Sequence, residues 1–98
     1  MNVVQKAEGC CELSVEGELT IYRATEFHEL LEEKQAMYQA INLDMESVTE
    51  IDTACFQVLL HHKLKSLNQN KKLNLQKCSE PVLDLFQIFG VSGIFINQ

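Results

Sequence analysis

Ile41, Leu43 and Met45 alternate with Asn42 and Asp44. A period of two sends alternate side chains to opposite faces, so this segment predicts a strand with one buried face. Val48 and Ile51 then predict a loop tucked against the core. Asp52 follows as a good helix N-cap, because its carboxylate can accept from the unpaired N–H groups that open a helix. The helix is expected from about Thr53 to Leu67, with Phe56, Leu59, Leu60, Leu64 and Leu67 on its buried side. Upstream, Cys10 to Val15 alternates, Glu16-Gly17 offers a turn, and Leu19, Ile21 and Tyr22 resume the pattern, which together predict a hairpin. Thr25 would cap a helix with Phe27, Leu30, Leu31 and Tyr38 on one face, while Glu26, Glu29, Glu32 and Glu33 face water. Downstream, Asn68-Gln69-Asn70 breaks the second helix, and Leu73 and Leu75 alternate as a strand. Ser79 would cap a last helix with Pro81 in its first turn and Val82, Leu85, Phe86 and Phe89 inside. Gly90 suits the left-handed turn that stops it. Ile94-Phe95-Ile96 adds an edge strand or covers the core.

The order is thus β-β-α-β-α-β-α. Helices alternating with strands after an initial hairpin imply a mixed sheet with parallel crossovers, an α/β architecture. A length of 98 residues with 46% hydrophobic content suits a single domain, residues 1–98. No internal repeat or linker interrupts it.

Charge narrows the function. A net charge of −6 argues against a nucleic-acid surface, which draws on clustered Lys and Arg. Lys63, Lys65, Lys71 and Lys72 gather around a helix end, where cations meet the negative pole of the helix dipole. No apolar run is long enough to span a bilayer and no basic-then-apolar leader is visible, so the expectation is a cytoplasmic protein without direct membrane insertion.

The candidate chemistry is sparse. Cys10 and Cys11 are strand neighbours whose side chains point to opposite faces, and Cys55 and Cys78 belong to separate elements, so reduced thiols are expected rather than disulfides or a metal site. His61 and His62 point about 100° apart on a helix and have no acidic or thiol partner at i+3 or i+4, so no metal is expected there. His28 stands among glutamates as a solvated histidine. Cys55 at a helix N-terminus is the one thiol whose pKa a dipole would lower, but a catalytic partner and a phosphate-binding loop are missing from the sequence. The expectation is a non-enzyme without cofactors. A thiol-dependent enzyme using Cys55 is the minor alternative.

Leu43-Asp44-Met45, Val48-Thr49-Glu50-Ile51-Asp52-Thr53-Ala54-Cys55 and Phe56-Gln57-Val58-Leu59-Leu60 together resemble the STAS domains, named for sulfate transporters and anti-sigma factor antagonists. The resemblance continues through Lys72 to Leu75, Ser79 to Val82 and Leu85 to Val91. It implies a STAS-like α/β fold, a mixed four- to five-stranded sheet packed with three or more helices. It also implies a bacterial interaction module that binds a protein partner through Asp52, Thr53, Ala54, Cys55 and Gln57. In the best-known anti-sigma factor antagonists a kinase that is also an anti-sigma factor phosphorylates the second residue after the Asp, which is Ala54 here. In stressosome-type STAS domains, and in the STAS subunit of a bacterial lipid transporter, the hydroxyl residue directly follows the Asp, which makes Thr53 the phosphorylation candidate. Cys55 stands where the family often has Gly. Partner switching with a serine-threonine kinase is therefore the first functional expectation. The alternative is an interaction subunit beside the ATPase of an ABC lipid transporter, or a chemotaxis-associated regulator, without phosphorylation.

Overall fold

In the computed structural model, residues 2–7 and 9–91 are described, with side chains from residue 9 onward. The elements are β1 (Asn2–Ala7), β2 (Cys10–Leu19), α1 (Ile21–Met37), β3 (Ala40–Ile51), α2 (Thr53–Asn68), β4 (Lys72–Gln76) and α3 (Glu80–Phe89). They form an α/β fold in which β2, β3 and β4 run parallel and β1 lies antiparallel against β2. The spatial order is β1-β2-β3-β4. Cys11, Leu13 and Val15 of β2, Ile41, Leu43 and Met45 of β3 and Leu73 of β4 supply the buried face of the sheet. Phe27 and Leu31 of α1, Phe56 and Leu59 of α2, and Val82 and Phe86 of α3 join the same core. On each strand these residues alternate with partly buried ones such as Glu12, Ser14, Asn42 and Asp44, the period that the sequence displays.

The hairpin lies earlier than the sequence pattern suggests. It joins β1 to β2, and Cys10–Leu19 is one continuous strand rather than a strand and a turn. Glu16-Gly17 forms an irregularity within that strand: the register shifts between Ser14 and Glu16 and again between Gly17 and Glu18. Gly17 has φ +76°, a left-handed conformation that costs glycine little. Arg23 from α1 then donates through one guanidinium nitrogen to the carbonyls of Glu16 and Glu18, at 2.8 and 3.2 Å. Those bonds hold the bulged backbone in place.

Because β2 absorbs the turn, Ile21 and Tyr22 open α1 instead of extending a strand, and Thr25 sits inside the helix rather than at its cap. Residues 46–51, expected as a loop, continue β3 for the same reason. Ser47, Val48, Glu50 and Ile51 pair with Glu16, Gly17, Glu18 and Leu19, so their backbone groups find partners in the extended part of β2. The starts of α2, β4 and α3 fall where the sequence places them. Gly90 ends α3 in the left-handed conformation, with φ +67°. Ile94-Phe95-Ile96 lies outside the described residues.

One face of α2 differs from the expected one. Leu64 and Leu67 are about half exposed, while His62, Lys63 and Ser66 are buried. Each buried polar group is satisfied by a neighbour. Gln35 of α1 donates through Nε2 to the carbonyl of His62 at 2.8 Å and to Ser66 Oγ at 2.6 Å. Lys63 Nζ donates to the carbonyl of Leu73 in β4 at 2.9 Å. The lysine cluster is thereby dispersed, since Lys65 pairs with Glu32 and Lys71 donates to the carbonyl of Gln35. All four cysteines are free.

Candidate functional site

Asp52 is placed by the end of β3, where its N–H donates to the carbonyl of Leu19 in the neighbouring strand. Its side chain then serves two helices. Oδ1 accepts from the backbone N–H of Cys55 at 3.1 Å, the expected cap of α2, and Oδ2 accepts from the N–H of Ile21 at 2.7 Å, the first residue of α1. Thr20, the residue at the N-cap of α1, makes no side-chain cap bond, so Asp52 supplies what Thr20 does not. Bonds from N–H groups to an ionised carboxylate are stronger than neutral ones, and negative charge is favourable at a helix N-terminus. One carboxylate therefore ties the two helix starts into a single rigid edge.

Thr53 and Gln57 are exposed on this edge, Ala54 is partly buried, and Asp52 is partly buried beneath its two helices. Cys55 departs from its expected place among the docking residues. Its side chain is fully buried and donates from Sγ to the carbonyl of Thr20 at 3.4 Å, so it supports the edge from inside. Nor is it an activated thiol. Burial, followed by the nearby Asp52 carboxylate, pushes its pKa up to about 11. The cost of desolvating the thiolate outweighs any gain from the helix dipole.

Sequence reasoning missed two residues. Tyr22 is 95% exposed and Ile21 65% exposed in the first turn of α1, beside the atoms that Asp52 binds. The signal was their position after Leu19, which fitted a strand as well as a helix start. Only the pairing of Asp52 with Ile21 separates the two.

A second polar group lies between α1 and α2, farther along both helices. His62 is buried, with Nδ1 against Gln35 Oε1 at 2.5 Å and Nε2 against His28 Nδ1 at 2.9 Å. Desolvation, aided by the neighbouring His28 and His61, lowers the His62 pKa to about 4, so the ring is neutral at pH 7. Glu32 Oε1 stands 3.9 Å from His62 Nδ1 and accepts from Lys65 Nζ at 2.6 Å. His28 is thus a packed residue with a partner rather than an isolated solvated one.

Among the described residues no helix is long and apolar enough to cross a membrane. No curated protein matches the sequence. Among solved structures, the unphosphorylated form of the anti-sigma factor antagonist SpoIIAA aligns with a TM-score of 0.81 at 13% identity, covering 97% of this chain and 84% of that one. The phosphorylated form of the Bacillus cell fate determinant SpoIIAA aligns with a TM-score of 0.77 at 13% identity, covering 97% and 87%. At that identity the likeness is one of fold. The family described as Mlab, STAS domain matches residues 2–97, and the chain belongs to this family.

Proposed function

We propose that this STAS domain is a non-enzymatic interaction module that docks a protein partner on the edge formed by the N-termini of α1 and α2. The observation that carries the reading is the shared Asp52 carboxylate, which ties the start of α1, with Ile21 and Tyr22 exposed, to the start of α2, with Thr53 exposed. A pre-ordered edge binds at a smaller entropic cost than a mobile loop. Its large aromatic, its aliphatic side chain and its hydroxyl supply the mixture that small interfaces use. The likeness in fold to an anti-sigma factor antagonist favours a partner-switching role, with an anti-sigma factor kinase as the partner and the reaction confined to the bacterial cytoplasm.

Thr53 is the hydroxyl through which such a switch would act. It is exposed, whereas Ala54 offers no acceptor. A phosphate on Thr53 adds a charge of about −1.5 to −2 at a helix start that accommodates negative charge, so the fold survives while a close-packed contact is disrupted. Ala54 also favours a second reading, an interaction subunit of a transport complex beside its ATPase, in which the same edge docks without being phosphorylated.

Capture from the native host with the parent, Tyr22→Ala and Thr53→Glu separates these readings. One partner should be retained by the parent and reduced at least tenfold by both variants, each with unchanged circular dichroism. An anti-sigma factor kinase that phosphorylates the parent but not Thr53→Ala supports the switch. A transporter ATPase, with no phosphate on Thr53, supports the second reading. Equal retention by all three proteins would place the docking surface elsewhere.

A further inference from the structure

We propose that His28 and Glu32 of α1 and His62 of α2 form a binding site for one divalent transition-metal ion of the zinc type. The three residues each offer a ligand atom, and these atoms all lie within 4.8 Å of one another. His28 and Glu32 are four residues apart, which puts them on the same face of α1. His62 meets that face from α2. The site is separate from the proposed docking edge, because the nine-residue step along α2 from Thr53 to His62 corresponds to about 14 Å of helix.

Hydrogen bonding sets the donor state of His62. Gln35 Nε2 faces the backbone carbonyl of His62, which can only accept, so that end of the amide must be the nitrogen. The other end, Oε1, is therefore an acceptor, and the ring nitrogen facing it, Nδ1, carries the proton. This leaves Nε2 with its lone pair directed at His28. An imidazole fixed through its other nitrogen by a hydrogen-bond acceptor is the arrangement that orients histidine ligands in metal sites. Ser66 anchors Gln35 in turn.

Without metal, His28 Nδ1 donates its proton to His62 Nε2 across 2.9 Å. Moving the His28 proton to its own Nε2 frees Nδ1 as a second donor with no change in ring charge. Two nitrogens on a tetrahedral ion at about 2.0–2.1 Å each stand about 3.3 Å apart, so the pair must open by only a few tenths of an ångström. Glu32 Oε1 stands 3.9 Å from His62 Nδ1, and its exposed side chain must swing round to the Nε2 side, giving up or sharing its bond with Lys65. Two imidazoles and one carboxylate favour zinc, cobalt, nickel or copper over magnesium or calcium, which prefer all-oxygen sites. The fourth position remains for water or for His61, whose ring centre is 5.8 Å from that of His28.

Calorimetric titration of the reduced, metal-free full chain with Zn²⁺ tests the site. One ion per chain is expected, with affinity at least tenfold weaker in His28→Ala and at least threefold weaker in Glu32→Gln. Co²⁺ should give the visible bands of a four-coordinate ion without a thiolate charge-transfer band. Absence of saturable uptake, undiminished uptake by the variants, or a thiolate band pointing to the cysteines would each overturn the proposal. If His28→Ala fails to fold, Glu32→Gln on the exposed side decides by the same criterion.

Discussion

The two oxygens of Asp52 have separate duties, and this makes the residue a sharper test than an ordinary cap. Removing one cap typically costs about 0.5–2 kcal/mol, and Asp52→Ala strips the cap bond from α2 and its counterpart from α1 together. We expect a loss of about 1–4 kcal/mol in denaturant unfolding. Asp52→Asn should fall between parent and alanine, because an amide has one acceptor oxygen and turns its NH2 toward the other helix's N–H. Ser79 is the contrast. It occupies the N-cap of α3 but makes no side-chain cap bond, and its buried Oγ has no partner among the described residues. Ser79→Ala should therefore change stability by less than about 0.5 kcal/mol, although the two positions look alike in sequence. Cys55 adds a pH signature. Its pKa is about 11 in the folded chain against 9.0 for an ordinary thiol, so between those values the unfolded state loses a proton that the folded state keeps. The contribution is fully present below pH 9 and is lost as pH rises through 11. Its slope should be absent from Cys55→Ala when unfolding is followed across that window.

At the scale of the element, α2 shows how far periodicity reaches. Its start and its Asp52 cap were legible, because a strand, an N-cap residue and an apolar helical run follow one another in that order. Its inner face was not. Leu64 and Leu67 suggest one stripe by hydropathy, but the buried stripe runs through Cys55, Leu59, His62 and Ser66, a spacing equally helical once polar residues are admitted. They are admitted because Gln35, 27 residues away from His62 in sequence, satisfies them. Local pattern carries no information about such a partner. The same gap hid the packing of His28 and the second duty of Asp52, and in β2 it hid the continuity of the strand through Gly17, which depends on the reach of Arg23. A direct test compares Gln35→Leu with Leu64→Ala in metal-free protein. The first strands the Nδ1–H and the carbonyl of His62 and should cost about 2–4 kcal/mol, whereas the second removes a half-exposed side chain and should cost less than about 1 kcal/mol.

For the molecule as a whole, the succession of strands and helices was readable because each element is bounded by its own punctuation and because alternation of type leaves few topologies. What that succession means lies in the strand order β1-β2-β3-β4, where position across the sheet repeats position along the chain. Among the described strands none has to be inserted between two that are already paired. A ribosome delivering this sequence from its N-terminal end would present β2 to a waiting β1, then β3 to β2, then β4 to β3, each after an intervening helix except in the first hairpin. Assembly can then proceed like laying planks from one side of a deck, with the backbone edge of the latest strand as the template for the next. The Lys63 ammonium, made before its acceptor on Leu73, is in place when the last of these strands arrives. The described strand order is thus suited to forming during synthesis, since none of its pairings must be undone to admit a later one.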